Sequence, residues 1–201
     1  MENKNKPEYT HKLVLLGESS VGKSSIVQRY VRNKFSDDES STIGATFVTS
    51  KITLDDCIIR FEIWDTAGQE RYHSLAPLYY RNSSVILVVF DVTSYTSYVQ
   101  SKVWISELKR LGPENAVVIL VGNKVDITKD LRRITYQQAN DYAKENDVKY
   151  IETSAKTKYN IEKLFKDAAI SIPKKEKSSM NIIKMNEKPS ADKQRSVYCC
   201  Y

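Results

Sequence analysis

Eight residues limit the fold of this chain more than any others: Gly17-Glu18-Ser19-Ser20-Val21-Gly22-Lys23-Ser24, with the spacing G-x-x-x-x-G-K-[ST]. They follow the apolar run Leu13-Val14-Leu15-Leu16, which reads as a buried strand, and precede Ser24 to Val31, which has helical periodicity. A strand must therefore turn into a helix through one short loop. Gly17 and Gly22 allow backbone angles that other residues resist, so the N–H groups from Ser20 to Ser24 can point inward at an anion. The helix N-terminus adds positive potential and Lys23 adds a point charge. Ser19, Ser20, Val21, Gly22, Lys23, Ser24 and Ser25 are the expected phosphate contacts, with the Ser24 hydroxyl left for magnesium.

The rest of the chain supplies a sheet for that loop. Strand-like runs fall at Lys12 to Leu16, Phe47 to Leu54, Ile58 to Asp65, Val85 to Asp91, Val117 to Gly122 and Lys149 to Glu152. Leu54-Asp55-Asp56-Cys57 reads as a tight turn joining the second and third strands into an antiparallel pair at a sheet edge. Helical patterns at Val99 to Leu111, Tyr136 to Glu145 and Ile161 to Ile172 alternate with near-continuous Val/Ile/Leu strands. That alternation predicts an α/β fold with a six-stranded, mostly parallel sheet and helices on both faces. Ligands of such sheets sit at the C-terminal strand ends.

The 201 residues suit one globular unit with appendages. We expect a short extension over 1–9, a folded domain over 10–172 and a disordered tail over 173–201. No apolar run reaches bilayer length and the first residues carry no signal-peptide core, so a cytosolic protein is expected. Three cysteines make neither a disulfide framework nor a zinc spacing, and His11 and His73 are expected to be solvated. The tail is basic: Lys174, Lys175, Lys177, Lys184, Lys188, Lys193 and Arg195 face only Glu176, Glu187 and Asp192, which places +4 of the net +6 there.

Three further clusters follow strand ends. The third strand runs into Asp65-Thr66-Ala67-Gly68-Gln69, where Asp65 can hold magnesium through a water, opposite Ser24. Gly68 lets its N–H approach a terminal phosphate, and the Gln69 amide can orient a water for in-line attack. The fifth strand runs into Asn123-Lys124-Val125-Asp126 and the sixth into Glu152-Thr153-Ser154-Ala155-Lys156. The Asp126 carboxylate can accept from guanine N1–H and the exocyclic amine, a pair that adenine lacks. Asn123 can tie this loop to the phosphate loop, Lys124 can lay its stem across the base, and the Ala155 N–H can meet guanine O6.

On these residues the chain resembles the Ras superfamily of small GTPases over about Thr10 to Ile172, and within it the Rab family. Thr42-Ile43-Gly44-Ala45-Thr46-Phe47, Trp64 to Tyr72 and Ser74 to Arg81 are similar to the switch segments of the early-endosomal Rab branch. The resemblance implies a P-loop GTPase fold in which Thr42 ligates magnesium and the γ-phosphate and Phe35 packs edge-on against guanine. It implies that Phe47, Trp64 and Tyr79 present the nucleotide state to effectors. Thr46, Ser20 and Asn82 depart from that branch, and an added hydroxyl near the γ-phosphate could alter the intrinsic rate.

The chain ends Tyr198-Cys199-Cys200-Tyr201, so the CaaX pattern fails and paired terminal cysteines remain. In the Rab family both receive geranylgeranyl groups, and two lipids beside a basic tail give stable anchoring. The tail could span about 30 Å as a coil. The resemblance implies a GTP/GDP switch that turns GTP and water into GDP and phosphate, with Gln69 and Lys23 catalytic. No motif positions an arginine in cis, so a slow intrinsic rate and a GTPase-activating protein worth about 10³ to 10⁵ are expected. Implied partners are effectors, an exchange factor, a Rab escort protein and a GDP-dissociation inhibitor. No nucleic acid is expected, and the protein is expected as a monomer on the cytoplasmic face of early-endosomal membranes with a cytosolic pool. The competing classes are a P-loop ATPase or nucleoside kinase, opposed by Asp126, and a scaffold without hydrolysis, opposed by Gln69.

Overall fold

A computed structural model describes residues 6–37, 41–69 and 74–173. The terminal cysteines, His73 and the segment Glu70 to Tyr72 lie outside these residues. In chain order the elements are β1 (Glu8–Leu16), α1 (Lys23–Arg32), β2 (Ala45–Thr53), β3 (Ile58–Thr66), α2 (Ala76–Tyr80), β4 (Val85–Asp91), α3 (Tyr95–Leu111), β5 (Val117–Asn123), α4 (Tyr136–Glu145), β6 (Lys149–Glu152) and α5 (Ile161–Ser171).

The six strands form one sheet in the order β2-β3-β1-β4-β5-β6. Only the β2/β3 pair is antiparallel, and its turn is closed by the Leu54 N–H donating to the Cys57 carbonyl at 2.8 Å. Successive residues of β1 serve different cores, as a sheet covered on both faces requires. Leu13 and Leu15 pack beneath α1 and α5 with Ile26, Phe61 and Phe165. Val14 and Leu16 pack on the other face with Ile86, Val88, Trp104 and Ile105 beneath α3. Every residue of β4 is buried. Tyr30 of α1 stacks on Phe165 of α5 with ring centroids 3.7 Å apart, joining the two helices.

Several boundaries differ from the sequence reading. β1 begins at Glu8, because polar Glu8 to Thr10 pair in register with Ile58 to Arg60 of β3. α3 begins four residues earlier, at Tyr95, because the Ser94 side chain caps it by accepting from the Ser97 N–H at 3.2 Å. His11 is not solvated: it is half-buried, with Nδ1 2.9 Å from the Ser84 hydroxyl. Asn82 takes a left-handed φ of 59°, a conformation Asn tolerates better than most residues. Among the described residues no helix is long and apolar enough to cross a membrane.

Candidate functional site

The chain reverses its winding direction around β1, with β3 on one side and β4 on the other, and the loop after β1 lies at that switch point. A cavity of about 370 Å³ opens there. Its wall is built by the loops after β1, β3, β5 and β6 together with Phe35 to Asp37 and Ser41 to Thr42.

Gly17 takes a φ of 139°, and a Cβ there would fall 2.2 Å from the Val89 carbonyl oxygen of β4. Gly22, with φ 94°, is the N-cap of α1 and no side chain caps the helix. The first-turn N–H groups of α1 therefore face the cavity side uncapped by any side chain, as an anion site requires. Ser20 holds a left-handed φ of 61° within the same loop. Lys23 is almost fully buried and donates from Nζ to the carbonyls of Gly17 at 2.9 Å and Glu18 at 2.7 Å. Burial pushes its ammonium down to about 8, against the opposing pull of the Asp65 and Glu18 carboxylates. A phosphate beside it would favour the charged form.

The Ser24 hydroxyl lies 2.8 Å from Thr42 Oγ1 and donates to Asp65 Oδ2 at 2.5 Å. Thr46 Oγ1 is 3.5 Å from the same carboxylate oxygen, which sets a second hydroxyl beside Asp65. Two hydroxyls and a carboxylate form a hard, all-oxygen donor set with few protein ligands. That set fits magnesium, which keeps waters and substrate phosphates in its shell.

Gly68 packs against the phosphate loop: a Cβ there would fall 2.3 Å from the Glu18 carbonyl and 2.4 Å from Lys23 Nζ. Gly68 lines the cavity, whereas Gln69 does not in this arrangement.

Asn123 joins the loops on the base side to the phosphate loop. Its Nδ2 donates to the Val21 carbonyl at 2.9 Å, while Oδ1 accepts from Thr153 Oγ1 at 3.1 Å and from the Ala155 N–H at 3.3 Å. The Ala155 amide, expected to face a guanine O6, thus leans on Asn123 here. Ser154 Oγ donates to Asp126 Oδ1 at 2.5 Å and accepts from the Thr157 N–H at 3.0 Å, which fixes the carboxylate's orientation. Lys124 has φ 69° and its Nζ pairs with Asp91 Oδ2 at 2.8 Å, so its stem lies along the wall with the charge tethered. Lys156, also on the wall, has Nζ 3.4 Å from Asp37.

Of the expected contacts, Val21, Asp65 and Ser154 stand behind the wall and act through Asn123, Ser24 and Asp126 respectively. Ser19, Ser20, Gly22, Lys23, Ser24, Ser25, Phe35, Thr42, Gly68, Asn123, Lys124, Asp126, Ala155 and Lys156 line it directly. The sequence reading quotes Glu152 and Thr153 in the sixth-strand cluster without a separate role for either, and it misses Arg29. Thr153 holds Asn123, and Glu152 accepts from Arg132 and from the Tyr150 hydroxyl behind the same loop. Arg29 reaches that loop from α1. Arg29 belongs to no spaced motif, and the Arg132 partner of Glu152 and the Asn123 partner of Thr153 lie too far along the chain for spacing to show the pairing.

Away from the cavity, Phe47 is half-exposed and meets Trp64 edge-on at 5.3 Å, and Trp64 lies 6.2 Å from Tyr79. The three rings form one patch across β2, β3 and α2, with Lys12 Nζ 5.2 Å above the indole. Comparison with known families adds one finding: the model described as the Ras family matches residues 12–174.

Proposed function

This chain belongs to the Ras family of small GTPases, and from that premise we propose that it is a Rab-type switch that cycles between GTP and GDP on endocytic membranes. Ras-family membership gives guanine-nucleotide binding, a GTPase switch, and regulators and effectors in general. The observation that carries the chemistry is one cavity lined both by Ser24 and Thr42, with the Asp65 carboxylate hydrogen-bonded behind Ser24, and by the Asp126 carboxylate oriented by Ser154.

In the proposed reaction, Lys23 and the uncapped first turn of α1 hold the phosphates, and Asp126 with Ala155 reads the guanine edge. Magnesium, held by Ser24, Thr42 and Asp65, would neutralise phosphate charge during transfer. Gln69 orients the attacking water, with Gly68 N–H approaching the γ-phosphate. Loss of that phosphate removes what Thr42 and Gly68 hold in common, and the two segments relax. Slow intrinsic turnover follows from the lack of any motif-placed arginine in cis, with an activating protein supplying the missing charge.

The finer assignment rests on the switch-segment resemblance, on the Phe47, Trp64 and Tyr79 patch as an effector surface, and on the paired cysteines. Geranylgeranyl groups on Cys199 and Cys200, a Rab escort protein and a GDP-dissociation inhibitor complete the proposed cycle between cytosol and early-endosomal membrane. Imaging the Gln69→Leu protein against organelle markers, beside the Cys199→Ser, Cys200→Ser double variant, tests it. Early-endosomal signal for the first and a cytosolic second variant that still binds GDP are expected. Persistent membrane association of the double variant, or Gln69→Leu on another organelle, contradicts it.

A further inference from the structure

Arg29 sits on α1, two turns beyond the phosphate loop, and no part of it lines the cavity. Its guanidinium nevertheless makes three hydrogen bonds to backbone carbonyls: Nε to Ala155 at 2.8 Å, Nη2 to Lys156 at 3.0 Å and Nη1 to Asn33 at 2.9 Å. Asn33 is the left-handed C-cap of α1, and its own N–H donates to the Arg29 carbonyl at 3.1 Å. The same guanidinium lies 5.9 Å from the Phe35 ring centroid. One side chain thus binds the end of α1, the start of the segment bearing Phe35 and the loop carrying Ala155 and Lys156. Those last three residues all line the cavity.

The geometry points to Arg29 as a positioning residue that holds the base-reading loop and Phe35 in register with the phosphate loop, and so governs how long a guanine nucleotide stays bound. The phosphates are gripped at the first turn of α1 and the base by a loop more than a hundred residues later in the chain. A rigid helix with a fork at its far end fixes the distance between the two. The planar fork matters as well as the charge: a lysine ammonium carries all its donors on one nitrogen, whereas the guanidinium reaches the three carbonyls from three nitrogens at fixed angles. This inference rests on guanine being the base read by Asp126 and Ala155.

The test compares the full chain with Arg29→Gln and Arg29→Lys, both good helix formers. Release of GDP, of ADP and of 2-aminopurine riboside diphosphate, which lacks the 6-oxo group and N1–H, is followed by displacement with excess GDP, with melting temperature beside it. Arg29→Gln is expected to release GDP about tenfold faster, as loss of charge-assisted hydrogen bonds to the loop predicts. Arg29→Lys should resemble it, and release of ADP and the aminopurine analogue should change by less than about threefold, because neither offers an O6 acceptor to the Ala155 N–H of the loop that Arg29 holds. Unchanged GDP release, or equal acceleration for all three ligands, overturns the positioning role. Wild-type protein that holds ADP as tightly as GDP would instead overturn the guanine reading beneath it, and the two failures are distinct.

Discussion

Asn123 donates from its amide nitrogen to the Val21 carbonyl, 102 positions earlier in the chain, at 2.9 Å. Through its amide oxygen it also holds Thr153 and Ala155, so a single buried side chain ties together the loops after β1, β5 and β6. A Cβ at Gly22 would fall 2.4 Å from that nitrogen, which explains why the loop passes it with glycine. Replacing Asn123 by alanine leaves three buried polar groups without this partner. At about 1 kcal/mol for each hydrogen bond, we expect Asn123→Ala to lower unfolding free energy by about 2–3 kcal/mol. GDP should bind about tenfold or more weakly, as urea unfolding and GDP titration will show.

The charge of Lys23 predicts a pH dependence. In the nucleotide-free fold burial lowers its pKa to about 8 from the ordinary 10.5. The unfolded chain keeps that proton to higher pH, so the empty fold gains stability from this group as pH rises from 8 to 10.5. A bound phosphate restores the charge, so over the same window binding takes up a proton. GDP affinity should therefore weaken by up to about tenfold per pH unit above 8. Titrations between pH 7 and 9.5 should show this slope in the wild type and none in Lys23→Met.

Gly68 is pressed against Glu18 and Lys23, and an added methyl group has no room. Gly68→Ala must push the segment that carries Gln69 away from the Glu18 backbone. Single-turnover GTP hydrolysis should fall by about tenfold or more, the cost of about 1.4 kcal/mol in the barrier. GDP affinity, held mainly by the other loops, should change by less than about threefold.

Phe165 is fully buried and stacked on Tyr30. Phe165→Ala should cost about 3–5 kcal/mol in urea unfolding of the GDP complex, the range for deleting a packed aromatic ring. A loss below about 1 kcal/mol would show that α1 and α5 are not coupled through this pair.

Much of this arrangement is legible in the sequence because strand ends carry the chemistry. Once Leu13 to Leu16 is a strand and G-x-x-x-x-G-K-S follows it, the position of Lys23 and Ser24 at a helix start is nearly forced. The runs ending at Asp65, Asn123 and Glu152 similarly place Gly68, Asp126 and Ala155 on one side of the sheet. Contacts between residues that share no spacing stay hidden. The pairing of Arg29 with Ala155 spans 126 positions and uses a backbone carbonyl, which any residue would present. Polar Glu8 to Thr10 look like a loop by composition, and only pairing with β3 makes them a strand. His11 reads as a surface residue until the Ser84 hydroxyl is brought beside it.

The most direct measurement of the central claim is single-turnover hydrolysis of GTP by the magnesium-loaded protein, wild type against Gln69→Leu, with ATP as the parallel substrate. The account predicts slow release of phosphate from GTP by the wild type, a rate at least about tenfold lower for Gln69→Leu, and no turnover of ATP. Equal rates for wild type and Gln69→Leu, or ATP cleaved as readily as GTP, would contradict it.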